Sequence, residues 1–532
     1  MQAIFQAVYL LCILLFVVGL GHHHLQLIQF PLPLSYNEAS GATVTGYIAS
    51  GGNPYAIEAQ PARTSVYPIL FNLMAAPLTP FFGNTLVLHR VINGLLLLGC
   101  AALFYRVTYR YCRSHFDSLA ATALLYCGFM VFSTPLTSPN GIGLILFFGA
   151  IFLPLLDDFS KRSLLAALVL GVATLHAKQY FVASLGFMAL LLFLNVSKRS
   201  GIYFGLCSVA LSVVVMAAVL SVAPYYLDAT LFAVSGASDF ASDNKYMWPQ
   251  WAKYLPIAAP VIGVLCLGYA GALLADRQRG ERRQDPAAVE QKRIDVLSWH
   301  HPLLPAGVNP LWLYLVCCIF IFTVSLGRNP GNDLTYLFQL VSPFLLALAA
   351  YAISLVTQWR WFLRVLLLTA FVTHYNALSH DFEVRSQAEW QKLETLVAGA
   401  DAIYATPIIL ELIADRGIDV YNNGHTSYFM TAQSKPAFLV RDEPAAQVGT
   451  LWAAWVEDVH TRIRERRFDL LLVDFWTQIP DGVDAQGAEV DGPTLLRKHY
   501  RVRETLDVAV ANRPGGGNFP VQIWEPRRKP RD

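Results

Sequence analysis

Residues 33–68 read PLSYNEASGATVTGYIASGGNPYAIEAQPARTSVYP, and this polar interruption between apolar runs is the part from which the fold is read. Glu38 follows Leu32, Leu34 and Tyr36 and precedes a run of small residues, which predicts a helix over 39–50 lying along a membrane surface. Gly51, Gly52 and Pro54 then call for a turn, because glycine admits positive φ and proline fixes φ near −65°. A carboxylate at a lipid–water boundary carries a costly charge, so it has a partner or a chemical task. The plain alternative is a solvated loop acid.

The rest of the chain supports a membrane setting. Of its 532 residues 55% are hydrophobic and only 14% charged, and the mean hydropathy is +0.43. Soluble domains carry roughly a quarter charged residues, so a membrane protein is expected. A net charge of +2 gives no reason to invoke nucleic acid. No glycine-rich phosphate loop of the Walker or dinucleotide type is present, which argues against ATP or NAD chemistry. The eight cysteines lie in apolar runs or at one basic loop without zinc-finger spacing, so neither disulfides nor a cysteine metal site is expected.

Working outward, Ile4–Leu20 reads as an uncleaved first span, having no basic n-region and no small-x-small cleavage site. His22, His23 and His24 follow. Consecutive helical residues point about 100° apart, so an interfacial polar cluster fits them better than a metal site. Further spans are expected near 86–105, 118–133, 141–156, 164–176, 180–195, 202–224, 255–275, 309–326, 338–356 and 360–376, about eleven in all. Residues 69–82, broken by Pro77 and Pro80, read as a re-entrant or interfacial segment. One set of connectors is basic, with Arg106, Arg110 and Arg113, Lys161 and Arg162, Lys198 and Arg199, the 276–306 loop, and Arg360 and Arg364. The other set is nearly free of base. Positive charge stays cytoplasmic, so the N-terminus is expected inside, and the Glu38 loop and the C-terminus outside.

From about Leu378 charges and turn residues increase. Strand-like runs at 402–405, 418–421, 437–440, 468–473 and 520–524 alternate with helical stretches at 407–416 and 446–466, predicting a small α/β domain. The expected organisation is therefore mainly α: a polytopic helical membrane domain over 1–376, whose external loop 21–85 carries Glu38, and an extracytoplasmic α/β domain over 377–532.

The polar residues expected at the external ends of the spans are Glu38, Arg90, Asn140, His176, Lys178, Gln179, Asp239, Asp243, Lys245, Arg328, Asn332, Asp333 and Tyr336. Lys178 stands where one short span ends and the next begins; it either snorkels or binds an anion, with phosphate the natural choice. Arg328, in a Gly-Arg-Asn-Pro-Gly-Asn turn, is a hydrated loop base or a second phosphate ligand. Asp239 and Asp243, i,i+4 on a helix, could hold Mg²⁺ or Mn²⁺ or simply be solvated. No nucleophile elbow is recognisable.

In order and sidedness these residues resemble the GT-C polytopic glycosyltransferases of the protein O-mannosyltransferase and aminoarabinose-transferase kind. The resemblance rests on Asn37-Glu38, Gly52-Asn53-Pro54-Tyr55, Tyr67-Pro68-Ile69-Leu70-Phe71, Leu88-His89-Arg90 and Lys178-Gln179. It covers residues 1–200 and 327–345. This chain has Asn37-Glu38 where the family often has an Asp-Glu pair, leaving a single carboxylate.

The resemblance implies a membrane glycosyltransferase that moves a sugar from a polyprenyl-phosphate donor to a hydroxyl of a glycan, lipid or protein acceptor, on the external face of a bacterial inner membrane. In that reading Glu38 is the catalytic base, and Lys178, Arg328 and Arg90 bind the donor phosphate. Tyr55, Tyr67, Asn140, Gln179 and Tyr336 contact substrate. No cofactor is required, and a divalent metal is left open. The rival classes are a transporter or flippase of lipid-linked sugars, expected to show paired inverted repeats, and a polysaccharide polymerase or ligase.

Overall fold

In the computed structural model the described residues are 2–30, 33, 36–60, 63, 65–130, 139–232, 247–282, 308–328, 334–357, 359–379, 387–405, 419–420, 442–474, 479–483, 487–509 and 518–527. Asp239, Asp243, Lys245, Asn332 and Asp333, the stretches expected at 407–416 and 437–440, and most of the 276–306 loop lie outside them, as does the side chain of Arg328.

Every expected span is occupied by a helix. The series runs α1 (Gln2–Gln29), α2 (Tyr36–Ala49), α3 (Leu70–Ala75), α4 (Thr79–Phe82), α5 (Leu86–Cys112), α6 (His115–Met130), α7 (Asn140–Leu156), α8 (Lys161–Thr174), α9 (Ala183–Asn195), α10 (Lys198–Val222), α11 (Met247–Arg282), α12 (Pro310–Val324), α13 (Ser342–Leu355) and α14 (Arg360–Ser379). Among the described residues six helices are long and apolar enough to cross a membrane, and four shorter apolar ones accompany them. The chain is an integral membrane protein. The span expected at 255–275 is the middle of the 36-residue α11. At 1.5 Å per residue that helix is about 54 Å long and outruns a hydrocarbon core of about 30 Å.

Burial follows the same logic. On α10 Leu206, Val209, Val213 and Val214 are exposed apolar residues, as a lipid-facing surface requires. On α13 nearly every side chain is buried, placing that helix at the centre of the bundle. At the end of the bundle carrying the basic connectors, Arg364 of α14 donates to both carboxylate oxygens of buried Asp117 on α6, at 2.7 and 2.8 Å. Breaking a pair of this kind costs about 3–5 kcal/mol, because the surviving charge is left unpaired out of water.

The C-terminal unit is a three-layer α/β arrangement. Its sheet has the order β2-β1-β3-β7-β6, from β1 (Ala402–Tyr404), β2 (Asp419–Val420), β3 (Leu470–Val473), β6 (Tyr500–Ala509) and β7 (Asn518–Pro526). β4 (Gly482–Val483) and β5 (Glu489–Val490) form a separate small ladder. β1 pairs in parallel with β2 and β3, while β7 is antiparallel to β3 and β6. Helix α15 (Gln387–Ala398) covers one face through Trp390, Leu393 and Val397. The other face takes Val459 and Ile463 of α16 (Asp442–Glu465) with Leu495 and Leu496 of α17 (Gly492–His499). β6 did not stand out in the sequence because its alternation is charged, as suits an edge strand.

Trp452 of α16 packs on a cluster of Tyr55, Tyr225 and Tyr226, so the C-terminal unit rests on the loops at the Glu38 end of the bundle.

Candidate functional site

The first external loop folds largely as its residues dictate. Helix α2 spans Tyr36–Ala49. It is pinned from below by Asn72, which donates to Gly41 O and Thr45 Oγ1, both at 2.9 Å, and by Asn84, which donates to Ala42 O at 2.8 Å. Gly51 then turns the chain at φ +87°, where a side chain would be strained. Beyond the turn, Asn53 donates to Val222 O at the end of α10, and Tyr225 N donates to Tyr55 O. The loop is thus tied to the Asn72–Asn84 stretch ahead of α5 and to the end of α10.

Glu38 does not stand open in a cleft. It is 0% exposed, and its two oxygens accept from Nε and Nη2 of Arg90 at 2.9 and 2.7 Å. The same guanidinium donates through Nη1 to Leu27 O and Phe30 O, at the end of α1. The pair therefore joins α1, α2 and α5. Arg90, expected among the phosphate ligands, serves here as the counterion of Glu38. Glu38, expected to face an acceptor, is enclosed by that counterion. Two of the three guanidinium nitrogens are turned to a carboxylate, a planar fork that leaves little for an added anion.

Lys178 is built differently. It occupies the hinge between α8 and α9, just before a short 3₁₀ turn, Gln179–Val182. It is partly exposed, and its Nζ donates to Asn140 Oδ1 at the start of α7. That nitrogen also lies 5.7, 5.6 and 5.6 Å from the ring centroids of Tyr67, Tyr180 and Tyr336, inside the range of cation–π attraction. Tyr180 and Tyr336 meet edge to face at 4.9 Å, and Tyr180 Oη donates to Gln339 Oε1. Desolvation of the ammonium among these rings pulls Lys178 down to about 8.

Of the expected site residues, Lys178, Asn140, Tyr67 and Tyr336 converge. Tyr180 joins them unforeseen, its place beside Lys178-Gln179 having been the available clue. Tyr55 and Gln179 stand behind this group. Tyr55 is fully buried and donates to Tyr67 O, while Gln179 donates to Thr230 O at 2.6 Å. His176 completes the support through a 3.0 Å contact between Nδ1 and Tyr226 Oη, and its carbonyl accepts from Leu70 N.

Close glycine contacts connect the two charged centres. A Cβ on Gly141 would meet Asn93 Oδ1 at 2.2 Å, and one on Gly143 would meet the Phe181 ring at 2.6 Å. Asn93 lies one turn from Arg90 on α5, and Gly141 adjoins Asn140. The absence of side chains at Gly141 and Gly143 lets the Arg90 helix and the Lys178 hinge approach α7 from opposite sides. The third histidine of the 22–24 run, His24, makes a 2.8 Å contact through Nδ1 with Tyr126 Oη and packs on Gly94. It serves as a helix-to-helix contact.

No family model and no curated protein matches the chain. Among solved structures it is similar to ArnT from Cupriavidus metallidurans bound to undecaprenyl phosphate, with 12% identity, a TM-score of 0.44, and coverage of 87% of this chain and 80% of that chain.

Proposed function

We propose that the protein is a membrane glycosyltransferase of GT-C type that takes its sugar from a polyprenyl-phosphate donor on the extracytoplasmic side of a bacterial inner membrane. The observation that carries this reading is the setting of Lys178. An ammonium held between Tyr67, Tyr180, Tyr336 and Asn140, partly exposed at a helix hinge, suits a lipid phosphate with an apolar tail on one side and a sugar on the other. The positive charge opposes the charge that develops on the departing phosphate as the glycosidic bond breaks. The tyrosine faces keep the lysine in place before the donor arrives.

The acceptor hydroxyl attacks the anomeric carbon, and its proton must pass to a base. Glu38 can take that proton only if α2 moves its carboxylate off Arg90. With the pair closed, its task is to organise the loop. The C-terminal unit is seated on Tyr55 and Tyr226 through Trp452, a position suited to presenting an acceptor to this site.

The test is binding of undecaprenyl phosphate, and transfer from undecaprenyl-phosphate-linked sugars, by purified protein in nanodiscs. Lys178→Gln should lose binding by at least about tenfold, as expected when a charge-assisted hydrogen bond is removed, and should slow transfer. Lys178→Arg should retain most of the binding. Parent-like binding and turnover in Lys178→Gln would move phosphate recognition elsewhere.

A further inference from the structure

We propose that the cleft at the carboxyl end of β3 is a saccharide site that holds the acceptor glycan. It is a hollow of about 420 Å³ in the C-terminal unit, lined by Asp474, Arg497, Gln522, Trp524, Val473 and Leu496 among others. That volume lies in the lower part of the range of roughly 300–1,000 Å³ for small-ligand sites, enough for one or two sugar rings. It opens where β3 meets its antiparallel neighbour β7 beneath α17, with Pro493 and Arg497 from α17 and Pro520, Gln522 and Trp524 from β7. Asp474 is the first residue beyond β3.

The chemistry of the lining selects a neutral polyhydroxylated ligand. Asp474 is only 5% exposed and already engaged within the protein, but the two oxygens of a carboxylate offer about four lone-pair sites, enough to accept a further hydroxyl. Gln522 is exposed, and its Oε1 accepts from Trp524 Nε1 at 3.2 Å, which leaves the amide NH₂ as its donor end. Arg497, in the last turn of α17, is an exposed donor beside them. One carboxylate and one guanidinium balance, so neither an anion nor a cation is favoured. The indole of Trp524, with Val473 and Leu496, offers apolar wall to the C–H face of a sugar.

The cleft is also joined mechanically to the membrane part. Trp455 packs in the same core as Trp524 and Leu496, and its ring lies 5.2 Å from that of Trp452, which rests on Tyr55 and Tyr226. Identifying the occupant as the acceptor rests on the transfer reading above; the saccharide site itself does not.

The experiment uses full-length protein in nanodiscs and ligand-observed saturation-transfer NMR with three probes: methyl α-mannopyranoside, methyl β-glucopyranoside and methyl β-galactopyranoside. At least one should bind. Asp474→Asn should weaken that binding about tenfold or more, as loss of a charged acceptor requires. Gln522→Leu, at the exposed rim where folding is not at stake, should weaken it severalfold. Lys178→Gln should leave it unchanged while reducing undecaprenyl phosphate binding. The proposal is overturned if no probe binds, or if binding persists in both Asp474→Asn and Gln522→Leu. Loss of glycoside binding in Lys178→Gln would place the signal in the membrane site and overturn it as well. If the glycosides bind as expected while Lys178→Gln transfers sugar normally, the saccharide site stands and the donor reading fails.

Discussion

Replacing Glu38 by glutamine would strand a guanidinium in the interior, and this perturbation separates structure from chemistry in the first external loop. Arg90 is 0% exposed and gives Nε and Nη2 to the carboxylate at 2.9 and 2.7 Å. Removing one member of a buried pair costs about 3–5 kcal/mol, because the other charge keeps its desolvation penalty. Glu38→Gln and Arg90→Gln should each lose about that much. If the two losses added, the double variant would lose about 6–10 kcal/mol. It should instead lose little more than either single variant, since both charges are gone, giving a coupling at or above the upper end of the roughly 0.5–3 kcal/mol found for contacting residues. The assay is SDS-driven unfolding in mixed micelles followed by far-ultraviolet circular dichroism, with transfer from an undecaprenyl-phosphate-linked sugar measured on the same samples. A strictly additive double variant, or a Glu38→Gln protein as stable as the parent, would refute the structural role of the pair. A stable double variant that still transfers sugar would remove Glu38 as the base; a stable but inactive one would point to a movement of α2 that opens the pair.

Three further outcomes are expected. Lys178 must be charged to hold phosphate, and desolvation brings its ammonium down to about 8. Undecaprenyl phosphate affinity should therefore be fully present at pH 7 and fall as pH rises through 8, whereas Lys178→Arg should remove the fall up to pH 10, since arginine stays protonated. Gly141→Ala forces a methyl to within 2.2 Å of Asn93 Oδ1 and should cost about 1–3 kcal/mol as overpacking. It should also weaken lipid binding by displacing Asn140, while Gly186→Ala, with nothing within 4 Å, should do neither. Finally, a reporter fused after residue 376 should read as external and one at 285 as cytoplasmic; the same side for both would undo the sidedness read from the basic connectors.

The membrane part was legible because apolar length and basic connectors are local properties. Each of the runs from Ile4–Leu20 to 360–376 lies on a helix, of which six among the described residues have the length and apolarity to cross a membrane; ends were misjudged, as in α11, where Met247–Arg282 continues through polar turns. Pairings across the fold were hidden. Glu38 and Arg90 were each singled out, but nothing local says that residues 52 apart will close on one another. Lys178, Asn140, Tyr67 and Tyr336 could be named only separately for the same reason, and Tyr180 fell at the start of the span expected at 180–195 and was not singled out. The C-terminal unit was read from its hydrophobic strands, and β6 was missed because an edge strand does not need a buried run.

The pairing of Arg364 with Asp117 holds one end of the bundle as Glu38 with Arg90 holds the other. It acts as a rivet between α6 and α14 at the basic end, where opening the helices would leave a bare charge in a place water cannot reach. The opposite end has a hinge at Lys178, a broken segment from Leu70 to Phe82 and the C-terminal unit seated on Tyr55 and Tyr226. A machine that ferries cargo across a membrane must gape at each end in turn. With a buried pair at each end, Arg364–Asp117 across α6 and α14 and Glu38–Arg90 across α1, α2 and α5, this bundle is stapled twice and resists gaping at either.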